Sequence, residues 1–284
     1  MKTYIILFFL VFSPLVLPAQ EAIPFVIYSK NGKQTTYKKL IKEASQKDVV
    51  LFGEYHDNSI VHWLQLKMAQ NLVGQRSLIL GAEMFEADNQ VGLNQYLSGE
   101  VDQKGMDTLV RLWNNYKTDY KPLVDFAKAK QLRFIATNVP RRYASKVFKE
   151  GVASLGLLSA EEKKWMAPLP FPYDKNLPGY LKMMEMFEDH ANDNLPKAQA
   201  IKDATMAYFI QLNHLPNSLF LHFNGSYHSD NFEGINWYLN RYNSDLKVLT
   251  ISTVSQENLS KLDKENLGKA DYIIVTDKEI TKTF

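Results

Sequence analysis

Asp48-Val49-Val50-Leu51-Phe52-Gly53-Glu54-Tyr55-His56-Asp57-Asn58-Ser59 is the stretch that decides the fold. Its apolar run, closed by Gly53, reads as a compact buried strand. Asp57, Asn58 and Ser59 then supply N-cap chemistry. The helix they open is expected from about Ile60 to Val73, because Ile60, Leu64, Met68 and Leu72 recur at helical spacing. A buried strand that runs straight into a helix is the repeating unit of an α/β sheet.

The end of this strand has a counterpart. Gly53-Glu54-Tyr55-His56 and Gly225-Ser226-Tyr227-His228 are both G-x-x-H tetrads behind apolar runs. The chain has only 13 Gly and 6 His in 284 residues. Random placement gives about 0.3 such tetrads. Each glycine is expected to let the backbone turn sharply after its strand. Loops at strand C-termini are where open α/β sheets build their sites.

Working outward, the same alternation continues. Phe25–Tyr28 reads as a short edge strand followed by a turn at Asn31-Gly32, and Tyr37–Ala44 reads as a helix. Ser77–Met84 is the next strand, and a helix-rich stretch from about Asp88 to Lys130 leads to strand Leu132–Thr137. From Tyr143 to Asp193 the pattern breaks. That stretch holds Pro168, Pro170, Pro172 and Pro178, and reads as a helical insertion or lid. Its Met183, Met184, Met186 and Phe187 form a soft apolar cluster that suits a large flat ligand or ordinary helix packing. A helix from about Pro196 to Leu212, strand Ser218–Phe223, a helix near Phe232–Arg241 and strands Lys247–Ile251 and Ala270–Thr276 complete the chain. The expected fold is α/β: a mostly parallel β-sheet flanked by helices, with the insertion at about 143–193.

The first residues read as a leader. Lys2 gives a positive start, Tyr4–Val16 an apolar core, and Pro18-Ala19-Gln20 a cleavage site after Ala19. The expectation is a signal peptide at 1–19, a single domain at 20–284, and an exported protein that is periplasmic, outer-membrane-associated or secreted. With 0 Cys, the chain offers neither disulfides nor a lipobox cysteine. Loss of Lys2 with the leader takes Lys+Arg from 33 to 32 against 31 Asp+Glu, a net charge of +1. Such balance gives no support to a nucleic-acid partner.

Several residues carry candidate chemistry. His56 sits just before a helix N-terminus, which favours a neutral imidazole able to bind a metal or accept a proton. Glu54 lies two residues away, on the same side of an extended chain. Glu54 and Asp57 equally suit strand-end and capping roles. Glu83 lies in an apolar strand, where a carboxylate needs a partner or a task. If the two strands are neighbours, Glu83, Glu54 and His56 share one crevice, suited to metal binding or acid–base work. His228 resembles His56 in context, while His222 reads as structural. His62, His190 and His214 have no supporting pattern and read as surface or packing residues. Asn138, Arg141 and Arg142 follow a strand end, where arginine can hold a carboxylate or phosphate.

The ordered motifs resemble a known family. V-V-L-F-G-E-Y-H-D-N (49–58), G-A-E-M-F (81–85), T-N-V-P-R-R (137–142), A-Q-A-I-K-D-A-T-M-A (198–207) and N-G-S-Y-H (224–228) resemble, in order and spacing over about 46–250, the ChaN-type haem-binding uptake proteins of the Tiki superfamily. The resemblance implies an exported haem-binding protein of bacterial iron uptake. It further implies haem as ligand, a homodimer with cofacial haems, and outer-membrane uptake machinery as partner. Tyrosine and histidine ligation is implied too, with Tyr143, Tyr173 and Tyr180 of the insertion as candidates. Absence of the lipobox cysteine departs from the family's lipoprotein type and puts surface anchoring in doubt. The wider superfamily implies an alternative: a metal-dependent hydrolase, using a divalent metal, with Glu54, His56, Glu83 and His228 as catalytic groups and His56, Glu83 and His228 as metal ligands.

Overall fold

A computed structural model describes residues 23–186 and 193–284. The leader, Phe187, His190 and the side chain of Met186 lie outside the described residues. The strands are β1 Phe25–Ser29, β2 Gln34–Thr35, β3 Val49–Glu54, β4 Ser77–Glu86, β5 Arg133–Asn138, β6 Ser218–Gly225, β7 Val248–Gln256 and β8 Tyr272–Asp277. The helices are α1 Tyr37–Ala44, α2 Ser59–Leu72, α3 Gln90–Ser98, α4 Gln103–Leu109, α5 Lys121–Ala129, α6 Arg141–Glu150, α7 Pro178–Met186, α8 Asn194–Asn213 and α9 Ile235–Tyr242.

The strands form one eight-stranded sheet in the order β2-β1-β8-β7-β3-β6-β4-β5. It is parallel except where β1 runs antiparallel to β2 and β8. The α/β expectation therefore holds. Phe25–Tyr28 is not the edge strand, however. The short β2, folded back through Gly32 at φ 74°, covers it.

The central strands are apolar on both faces because helices cover both. Val50 and Phe52 of β3 enter a core with residues of α1 to α5. Val49 and Leu51 enter the opposite core with α6, α8, α9 and the stretch between α6 and α8, including Leu155, Met166, Phe171 and Tyr180. Asn58 caps α2 by accepting the Val61 N–H at 3.2 Å. Among the described residues, no helix is long and apolar enough to cross a membrane.

This topology sets the site. β6 lies between β3 and β4, so the strands carrying Glu54 and Glu83 are not neighbours. The β3–β6 register places Glu54 opposite Gly225, which brings the two tetrads side by side. β4 follows β6 only to Ala82, and its register with β5 then shifts before Glu86. Glu83 sits in that irregularity, where a bulge re-aims a side chain toward β6.

Candidate functional site: a charged cleft beside two strand ends

Neither tetrad glycine turns the chain. Gly225 has φ −56° and ψ 137°, and Gly53 is likewise outside the left-handed region. Both are needed for close approach. A Cβ on Gly225 would lie 2.8 Å from Nε2 of His56, and one on Gly53 would lie 2.8 Å from the Ile251 carbonyl oxygen. The repeat therefore lets one tetrad's imidazole lie against the other tetrad's backbone.

His56 is held from behind. Its Nδ1 lies 2.8 Å from Oε1 of Glu54, which also accepts the Tyr120 hydroxyl at 2.7 Å. Gln65 donates its amide to the other Glu54 oxygen. The His56 carbonyl accepts from Asn115 at 2.9 Å and sits 3.0 Å from Nε2 of His62. Trp113 meets the His56 ring edge-on at 4.9 Å. Burial disfavours the His56 cation, but the Glu54 hydrogen bond and the Glu83 charge outweigh it and raise the pKa. The helix-dipole expectation of a neutral ring is thus overridden by a carboxylate in contact. In the neutral ring Nδ1–H donates to Glu54 and Nε2 carries the lone pair; with the pKa raised, a metal at Nε2 competes with a proton.

His228 occupies a tighter setting. Its Nε2 is 3.1 Å from Oε1 of Glu83, and its Nδ1 is 2.5 Å from Oδ1 of Asp203. Burial opposes the charge, yet the two carboxylates push the imidazolium pKa up to about 10. Glu83 is lowered: burial works against its charge, but His228, His56 and the Gly225 N–H at 2.7 Å prevail. Asp203 faces the same cation but is raised, burial being its largest influence. With His228 doubly protonated, the nearby Gln199 amide at 2.8 Å must turn its oxygen to the ring.

This geometry corrects the metal assignment to His56, Glu83 and His228. Both nitrogens of His228 face carboxylates, so it has no lone pair left to give. One Glu83 oxygen takes a backbone N–H. Among the described residues, no group of three or more His, Asp or Glu is arranged to hold a metal ion. A metal-dependent hydrolase is not favoured. Glu54, His56, Glu83 and His228 do come together, as two paired groups, Glu54–His56 and Glu83–His228, beside a cleft of about 550 Å³ lined by Glu54, Tyr55, His56, Gln199, Tyr227 and His228 among others.

The other candidates lie apart from the cleft lining. Arg142 is committed to Asp88 at 2.6 Å and stacks on Tyr143 and Trp165. Arg141 is exposed at the start of α6. The Asn138 side-chain oxygen is buried without a partner. Tyr143 is buried and donates to Glu162 at 3.1 Å. Tyr173 and Tyr180 stack on one another at 5.5 Å. Burial raises Tyr143 and Tyr180, and pushes Tyr173 up to about 12. Each phenol is thereby held in its neutral form. His222 is fully buried and neutral, its pKa pushed down to about 4, chiefly by burial, and it bonds Thr137 at 2.7 Å.

Several residues of the site were given no role in it by the sequence. His62, Gln65, Asn115 and Tyr120 build the layer behind His56. Asp203 and Gln199 both face His228. Their spacing was the available signal, since polar residues four apart share one face of a helix. Tyr55 and Tyr227 precede the histidines of both tetrads, line the cleft and are 39% and 48% exposed.

An α/β sheet with a charged cluster at its strand ends and an aromatic cleft above it is the arrangement in which open-sheet proteins commonly place a ligand site. Residues 40–239 match the family described as haem-binding uptake, Tiki superfamily, ChaN, and the chain belongs to that family. The fold is similar to that of ChaN of Campylobacter jejuni, solved with cofacial haem binding. That match has TM-score 0.65 and 17% identity, and covers 92% of this chain and 100% of that one. The type III effector HopBA1 is similar at TM-score 0.51 and 12% identity, over 88% and 98% of the two chains. A succinoglycan biosynthesis protein is similar at TM-score 0.53 and 10% identity, over 87% and 94%. A search of curated proteins found no match.

Proposed function

We propose that this protein binds haem as cargo in the cleft beside β3 and β6, as a step in bacterial iron uptake. Family membership supports the ligand class. The single observation that supports the location is His56, half-exposed in the cleft and anchored through Nδ1 to Glu54. Its Nε2, after loss of the ring's second proton, is the donor that it would offer to iron. The cleft is within the range of small-ligand and cofactor sites. Tyr55 and Tyr227 give it aromatic walls, which suit a flat apolar ring. Tyr227 is tethered by a 2.9 Å hydrogen bond to the Gly179 carbonyl, so it serves as wall rather than ligand.

The leader-like start supports export to the periplasm or beyond. Cofacial haem binding in the Campylobacter jejuni protein supports a homodimer in which two exposed clefts face one another, with delivery to or from outer-membrane uptake machinery. Titrating purified protein with haemin tests the reading. A saturable, shifted Soret band that weakens strongly in His56→Ala is expected. Wild-type protein without saturable binding overturns it. Light scattering with and without haemin tests dimerisation, and cell fractionation tests export.

A further inference from the structure

The segment Thr281–Phe284, after β8, folds back over the cleft. Lys282 bridges to Asn58, and the Thr283 N–H donates to the Asp57 carbonyl at 3.0 Å. The Lys282 ammonium pairs with Asp57 at 2.6 Å. The Thr283 hydroxyl donates to Oδ2 of Asp119 at 2.7 Å, and that oxygen also takes the Asn115 amide at 2.7 Å. Asn115 gives its other hydrogen to the His56 carbonyl. The segment is thereby fixed to the layer that holds His56.

These tethers leave one apolar side chain in an unexpected place. Phe284 is 68% exposed and lines the cleft together with Tyr55 and Tyr227. Three accessible aromatic rings around one charged floor leave apolar surface in water that a ligand would cover. Lys282 is neutralised by Asp57, so it acts as a tether and not as an anion site.

We propose that Thr281–Phe284 is a wall of the ligand site, and that Phe284, Tyr55 and Tyr227 grip a flat aromatic macrocycle by its face, independently of a metal at its centre. The proposal rests on the haem reading for the ligand class, and adds that the ring is recognised apart from the iron. One aromatic contact of this kind is worth about tenfold in affinity.

The test compares haemin with metal-free protoporphyrin IX on the full chain, by Soret absorbance and fluorescence. Wild type is expected to bind both. Phe284→Ala is expected to weaken both by about tenfold. Thr283→Val, which keeps the shape but loses the hydroxyl donor, is expected to weaken both by a few-fold. His56→Ala is expected to weaken haemin much more than the metal-free ring. Phe284 is exposed, so its variant should keep the wild-type melting temperature. If Phe284→Ala leaves both affinities unchanged, the wall is refuted while the haem reading stands. If haemin binds and the metal-free ring does not, metal-independent recognition is refuted. If wild type binds neither, the haem reading itself fails.

Discussion

Replacing Gly225 by alanine isolates the feature that joins the tetrads. The backbone there, at φ −56° and ψ 137°, suits any L-residue, so the change carries no conformational penalty. The added Cβ would stand 2.8 Å from Nε2 and 3.0 Å from Cε1 of His56, and 3.5 Å from Oε2 of Glu83. Ordinary contact for a Cβ begins near 3.4 Å, so the ring must retreat by about 0.6 Å. It has little freedom, since Nδ1 is bonded to Glu54 at 2.8 Å and the ring edge meets Trp113 at 4.9 Å. Either the hydrogen bond stretches or the wall deforms, and each costs about 1–3 kcal/mol. For a chain of this size that lowers the melting temperature by about 2–10 °C. Differential scanning calorimetry reads the stability, and haemin titration reads the site. Gly156→Ala is the control, because its Cβ would meet nothing within 4 Å and its φ is not left-handed. That variant should stay within about 0.5 kcal/mol of wild type. A Gly225→Ala protein with wild-type melting and wild-type haemin affinity would refute the packing argument.

Other outcomes follow from the same geometry. In His228→Gln the destabilisation should depend on pH. The folded pKa, about 10, lies above the ordinary histidine value of 6.5, so the imidazolium's contribution is complete below pH 6.5 and fades as pH rises through 10. The melting gap to wild type should narrow across that window, and a pH-independent gap would show that no buried cation is present. Tyr120→Phe removes a donor to the buried Glu54 carboxylate and should cost about 1–3 kcal/mol by urea denaturation. A neutral result would mean that Glu54 is not held as described. Arg142→Ala breaks a half-exposed pair with Asp88 and should cost about 1 kcal/mol or less, with haemin affinity unchanged. A large loss of haemin affinity in that variant would restore Arg142 to the ligand site.

The parts of the fold governed by local pattern were legible in the sequence. The apolar run before Gly53, the cap at Asn58 and the helical spacing from Ile60 to Leu72 led directly to β3 and α2. Strand order was not legible, because it depends on pairing between distant segments. Glu54, His56, Glu83 and His228 were recognised as a set, but the insertion of β6 between β3 and β4 explains their meeting better than direct adjacency. The glycines were singled out for the wrong reason, since close approach leaves no local signature distinct from a turn. Tyr143, Tyr173 and Tyr180 were chosen by position in the insertion; Tyr143 and Tyr180 are buried, Tyr173 is half-buried, and none of them lines the cleft beside His56. Asp203 is the instructive omission. It stands in the A-Q-A-I-K-D-A-T-M-A segment that carries the family resemblance, but the segment alone gives it no partner, and only the packing of α8 brings it to His228.

The central claim is that haem iron sits in the cleft against His56. Anomalous diffraction at the iron edge, from crystals of the haemin-loaded protein, tests it most directly. The expected result is an iron peak within bonding distance of Nε2 of His56, inside the rim formed by Tyr55, Tyr227 and Phe284. An iron peak beside Tyr143, Tyr173 or Tyr180, with the cleft left free, would contradict it.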